Sequence, residues 1–240
     1  KGCPPPAKVA CRKGLNGLTL AVRYAFTLSE VLITLGIIGI VAALTIPSLV
    51  GNYKKQETVS RLKKAYTIAN QAFMMSQLDN GEYDTWDIGI SGIEYIQKYF
   101  LPYFKVLQVC ENPQDCGYPS SRPFKDLNAK QNNNMTLAKD RRIPFLTTDG
   151  IAYIFSTLSG DENRIDHILY IDINGGKGPN MLGKDLFVFE RNNMKGILPY
   201  GYDNTDDQIK LNCSKTATSG IFCAARIMRD GWQILDDYPL

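Results

Sequence analysis

Four polar residues bracket one glycine-rich stretch, "YIDINGGKGPNMLGKDLFVFE", and they are the residues best suited to chemistry. Asp172, Asn174, Asn180 and Asp185 offer carboxylate and amide oxygens of the kind Ca2+ accepts, so this loop is a candidate calcium site. The alternative is a structural turn in which Asx side chains bond nearby backbone N–H groups. The stretch is not an EF-hand, which needs further acids and a terminal Glu. It is a poor phosphate cradle, because Gly175-Gly176-Lys177-Gly178 leads into Pro179 rather than into a helix N-terminus. No cofactor is required by any motif in the chain, and calcium is the one ion its residues suggest.

Catalytic patterns are lacking. There is no G-x-S-x-G or H-E-x-x-H. The single histidine, His167, alternates with apolar residues and reads as a strand position. Asp84, Asp149, Asp161 and Asp166 fall in turns, where solvation is the simplest account. Tyr95, Tyr99, Phe100 and Tyr103 read as core or subunit contacts. The six cysteines do not show paired C-x-x-C spacing, which disfavours both a zinc site and a dithiol redox motif.

Charge is distributed unevenly. Five of the 27 basic residues and none of the 24 acidic ones lie in residues 1–25, so the remainder is slightly acidic. It offers no basic face for general nucleic-acid binding. Glu30 opens an apolar run, and no other charge occurs until Lys54. The run exceeds the ~20 residues a helix needs to cross a bilayer. Basic residues before it put the N-terminus in the cytoplasm and everything after Lys54 on the far side. The run is too long for the apolar core of an ordinary cleaved signal peptide, and no small-x-small site follows it. A simple anchor explains the run but not the acid at its mouth. Cys11 does not head a lipoprotein site, since no apolar stretch precedes it.

The segment "A-FTLSEVLITLGIIGIVAALTIPSL", residues 25–49, resembles the N-terminus of type IV prepilins and type II secretion pseudopilins. That family carries a basic leader, a small residue, then Phe-Thr-Leu-x-Glu and an apolar helix. Ala25 stands here where glycine is usual. The resemblance implies cleavage between Ala25 and Phe26 by a prepilin peptidase, and N-methylation of Phe26. It further implies that Glu30 meets the terminal amine of a neighbouring subunit and sets register in a filament. The partners implied are other pilin or pseudopilin subunits, the peptidase, the membrane and an inner-membrane assembly platform. Some secretion pseudopilins bind calcium in a loop near their sheet, in keeping with the candidate loop. Processing would remove Cys3 and Cys11 with the leader. Cys110, Cys116, Cys213 and Cys223 would remain in an oxidising compartment, an even set with three possible connectivities. The local pairs Cys110–Cys116 and Cys213–Cys223 are favoured, and pilins often fence a C-terminal loop with a disulfide.

The elements follow from periodicity. Val59, Leu62, Tyr66, Ala69 and Phe73 recur at three and four, extending the apolar helix to about Leu78 with a buried stripe. Gly36 and Gly39 permit close helix approach, and Pro47 removes one helix bond. Ser91 is a candidate N-cap for a short helix closed by Pro102. Residues 111–140, rich in Asn, Pro and Lys, read as a surface connection. "PFLTTDGIAYIFS" is a hairpin about Asp149-Gly150, and "HILYIDI", "DLFVFE" and "KGILPYG" are further strands. The expected fold is α+β and pilin-like: a long N-terminal helix packed on an antiparallel sheet. The expected divisions are 1–25 leader, 26–53 membrane and assembly helix, 54–78 amphipathic continuation, and 79–240 extracytoplasmic domain. The reading is a pilin or pseudopilin subunit held in the inner membrane until assembled, and no enzyme. A competence-type pilin contacting DNA and a non-polymerising anchored binding domain are the alternatives.

Overall fold

The computed structural model describes residues 27–138, 142–156, 168–192 and 195–240. The chain divides into two units between Ser48 and Leu49. One helix, α1 (Leu28–Asn80), contributes residues to both. It runs through Pro47, and its N-terminal part is long and apolar enough to cross a membrane.

In the first unit the apolar side chains of α1 stay exposed: Leu28 at 78%, Leu32 at 61% and Leu44 at 75%. The hydroxyls of Thr34 and Thr45 turn back onto the Val31 and Val41 carbonyls at 3.0 and 2.9 Å, which hides them from an apolar surround. Added side-chain carbons at Gly36 and Gly39 would meet nothing.

In the second unit, a six-stranded antiparallel sheet runs in chain order: β1 (Val106–Val109), β2 (Arg142–Thr147), β3 (Ala152–Ser156), β4 (Ile168–Asp172), β5 (Leu186–Asn192) and β6 (Gly196–Pro199). The β2–β3 turn closes as its Asp-Gly pair predicts, with Gly150 at φ +78°. Register places Phe145, Tyr153, Ile171 and Phe187 in one row, and Phe155, Leu169 and Phe189 in the next. These rows meet Leu62, Ala65, Ala69, Ala72 and Phe73 of α1. Three alanines on that face let the helix backbone come close: the Tyr153 hydroxyl donates to the Ala65 carbonyl at 3.3 Å. Val59 and Tyr66 pack at the rim of the same cluster.

The short helix α2 (Gly92–Tyr99) starts at Ser91 with a reciprocal capping box to Glu94. Its Tyr95 and Tyr99 pack with Trp86 and Phe100, so these rings are core, as expected. Two short helices follow the sheet, α3 (Asp206–Asn212) and α4 (Cys223–Arg229).

Residues 111–138 differ from the expected surface connection. Cys116, Tyr118, Phe124, Met135 and Leu137 are buried against the second face of the sheet, on Ala152, Ile154, Tyr170, Leu186 and Val188. Five buried anchors spread through a polar stretch cover this face, with no long helix or strand among them. The sheet is therefore buried on both sides, and every residue of β3 is buried. The open edge of β6 is closed by α1: Ile197 N–H donates to Asn70 Oδ1 at 2.9 Å, and Asn70 Nδ2 donates to the Ile197 carbonyl at 3.1 Å. One side-chain amide replaces the neighbouring strand that the edge lacks.

Candidate functional site

Two places collect the residues singled out by sequence. The first is the start of α1. Ala25 and Phe26 lie outside the described residues. Glu30 lies in the first turn of α1, three residues after Thr27. Glu30 Oε2 accepts from the Thr27 N–H and from its hydroxyl, and Glu30 N–H donates to Thr27 Oγ1 at 3.2 Å. This is a capping box, and Thr27-x-x-Glu30 is its sequence signature. The acid therefore has a local partner, Thr27.

The second is the loop from Asp172 to Asp185. Asp172 ends β4 on the sheet face covered by residues 111–138, opposite Ala152 and Leu186 in register. It is fully buried. Its Oδ2 accepts from the Tyr118 hydroxyl at 3.0 Å, and its Oδ1 accepts from Asn174 N–H at 3.2 Å. Asp185 Oδ2 accepts from Asn180 N–H at 2.8 Å, and Oδ1 from Met181 N–H at 2.7 Å. Asn174 Nδ2 donates to Asp185 Oδ2 at 3.3 Å, so one residue touches both carboxylates, Asp172 through its backbone N–H and Asp185 through its side-chain amide. All four sequence-selected residues thus come together. Burial, then the charge of Asp185, pushes the Asp172 carboxyl well above the usual carboxylate range. Burial also raises Asp185, against the pull of the N–H groups it holds.

These bonds are those of a turn closed by Asx side chains. They leave two buried oxygens, Asn174 Oδ1 and Asn180 Oδ1, with no donor to accept from. Asn180 is 5% exposed. Unmet buried oxygens beside two carboxylates form the donor type a hard cation takes. Among the described residues no group of three or more His, Cys, Asp or Glu gathers, so amide and backbone oxygens must supply much of any cation's shell. Tyr118 carries no sequence signal for this role, being 54 positions from Asp172.

The structure joins Cys110 to Cys116 and Cys213 to Cys223. His167, Asp161 and Asp166 lie outside the described residues. Asp149 sits at its turn, bonded to Lys64 Nζ at 2.7 Å and to the Thr147 hydroxyl at 2.6 Å. An open groove beside α1 is lined by Lys55, Lys63, Trp232 and Asp236. Lys55 is held by Asp236 at 2.8 Å, and Lys63 lies over the Trp232 ring.

The family described as "Family of unknown function (DUF6613)" matches residues 48–240, the whole of the second unit and Ser48 before it. The chain belongs to this family. The chain is also similar to the type II secretion system core protein G of Aeromonas hydrophila, 35% identical over 68 residues, which is 28% of this chain and 47% of that protein. The homologues from Escherichia coli K12 and Vibrio cholerae match over the same length at 34% and 35% identity, each covered to 46%. The chain spans about half the length of the curated relatives it matches. No solved structure matches significantly. The architecture is that of a pilin-like α+β fold, a long helix with an apolar N-terminal part whose second part packs on a six-stranded antiparallel sheet.

Proposed function

We propose that this chain is a subunit of a type IV pilus-like or type II secretion filament, made as a precursor and polymerised through residues 26–47. One observation carries the reading. A single helix has a first part whose one charged side chain is Glu30 and whose apolar side chains are exposed, and a second part whose stripe is buried on a sheet. Exposed apolar surface of this extent needs lipid or neighbouring helices. The first part serves the membrane before assembly and like helices after it. The N-terminus is cytoplasmic and the sheet domain extracytoplasmic.

In this proposal a prepilin peptidase cuts between Ala25 and Phe26, and the new amine of Phe26 is methylated. Glu30 then exchanges or shares its Thr27 bonds with the amine of a neighbouring subunit on an inner-membrane assembly platform. In a dry helix bundle such a charge pair acts far more strongly than in water. Intact-mass measurement of membrane-extracted protein is expected to return a chain beginning at methylated Phe26. A mature protein retaining Arg23 and Tyr24 removes the processing claim.

The proposal also assigns Asp172, Asn174, Asn180 and Asp185 to a divalent cation, Ca2+ by its preference for carboxylate and amide oxygens. The support is the pair of unmet buried oxygens beside two buried carboxylates. Bound there, the cation would supply positive charge to a site where burial disfavours the carboxylates' own. Added Ca2+ is expected to raise the melting temperature of the wild-type protein and to leave Asp185→Asn unchanged. Equal melting with Ca2+ and with a chelator removes the assignment.

A further inference from the structure

Two glycines of the 172–185 loop lie hard against the two disulfides. A side-chain carbon at Gly176 would sit 2.3 Å from the Gly117 carbonyl carbon and 2.5 Å from the Cys116 carbonyl oxygen. The Gly176 N–H donates to that same oxygen at 3.3 Å. At the other end, a side-chain carbon at Gly183 would sit 2.7 Å from Cys223 Sγ. Gly183 also has φ +78°, and its carbonyl accepts from the Tyr238 hydroxyl at 2.6 Å. Next to it, Gly220, inside the Cys213–Cys223 loop, approaches so closely that a side-chain carbon would be 2.9 Å from the Leu182 carbonyl.

Both disulfides thus bracket one loop, at positions seven residues apart in chain order. Cys116 does more than abut it. Tyr118, two residues on, is the donor that holds Asp172 Oδ2. Cys116 therefore places Gly176 directly, Tyr118 just beyond the bridge places Asp172, and the Cys213–Cys223 segment places Leu182 and Gly183. Asn180 and Asp185 lie between or beside these fixed points.

We infer that the two disulfides hold the Asp172, Asn174, Asn180 and Asp185 oxygens ready for a divalent cation, so that cation affinity depends on cysteine oxidation. The inference rests on the calcium assignment above and adds its regulation. A loop fixed before binding loses less conformational freedom on binding, which is the usual gain from preorganisation. Reduction of either bridge by a dithiol transfers two electrons and two protons to it. The bridge becomes two thiols, the reductant leaves as its own disulfide, and one bracket of the loop is released.

The test is calorimetric titration of Ca2+ into the detergent-solubilised, oxidised protein, repeated on Cys110→Ser/Cys116→Ser and on Cys213→Ser/Cys223→Ser. Tyr118-sensitised Tb3+ luminescence gives a second readout of the same loop. Each double variant is expected to bind Ca2+ at least about tenfold more weakly while its near-ultraviolet circular dichroism is kept. No binding by the wild-type protein overturns the calcium assignment and the inference with it. Binding by the wild type and equal binding by both variants overturns the inference alone. If a double variant fails to fold, the same Ca2+ titration of the wild-type protein after reduction by a dithiol, with free thiols counted and the far-ultraviolet circular dichroism kept, decides. Weakened Ca2+ binding there supports the inference, and unchanged affinity overturns it.

Discussion

Glu30 Oε2 accepts two hydrogen bonds from Thr27, one from its N–H and one from its hydroxyl, both at 2.8 Å. The acid that opens the apolar helix therefore closes the helix N-terminus as well. A capping box accepts Gln in place of Glu, so shape and charge can be separated at this position. Glu30→Gln is expected to keep the helix start, insertion and monomer abundance, yet fail to cross-link between subunits. Glu30→Ala is expected to lose both cap and cross-links. Assembly by Glu30→Gln at the wild-type level would assign the residue to capping and remove the charge-pairing mechanism.

Asn70 offers a test of the head domain. Its amide satisfies both the N–H and the carbonyl of Ile197 on the outermost strand. Asn70→Ala leaves these partly buried groups unmet and is expected to destabilise the domain by about 1–3 kcal/mol. Hydrogen exchange at the Ile197 amide should speed up in step. Unchanged protection there would mean that water or another group closes the edge.

The Cys213–Cys223 bridge closes a loop with a sequence separation of 10. Constraining the unfolded chain by a loop of this size typically adds ~2–4 kcal/mol. Replacing both residues with Ser should lower the denaturant midpoint accordingly. Peptide mapping without reductant should recover Cys110 with Cys116 and Cys213 with Cys223. A Cys110–Cys213 peptide would contradict the local pairing.

Acid should weaken the β2–β3 turn. Burial acts to raise the Asp149 carboxyl, but hydrogen bonds from Lys64 and Thr147 and the Lys64 charge leave it below the usual carboxylate range. A depressed folded-state value means that the unfolded chain binds the proton first. The stabilisation is thus present above the unfolded value, about 3.9, and is lost as pH falls through the lower folded value. Lys64 is half exposed, which limits the pair to about 0.2–1 kcal/mol. Asp149→Asn keeps the turn chemistry and should flatten the difference between melts at pH 5 and in stronger acid. Parallel pH curves for the two proteins would sink the claim.

The long helix, its apolar first half, the Ser91 cap and the Asp149-Gly150 hairpin were legible in sequence because each is local. Periods of three and four, a capping residue and a turn pair act on neighbours in the chain, and their physics needs no distant partner. Thr27-x-x-Glu30 is equally local, since its cap forms between residues three apart in the chain. What only the tertiary structure decided is which surfaces meet. The polar stretch 111–138 covers the second sheet face because Tyr118, Phe124, Met135 and Leu137 are carried there by the chain's path, with no periodicity to announce it. Tyr118 finds Asp172, Asn70 finds Ile197, and Gly176 and Gly183 find Cys116 and Cys223 across long separations. Contacts of that kind depend on the register of the sheet and the closeness of packing, and a single sequence read along its length holds neither.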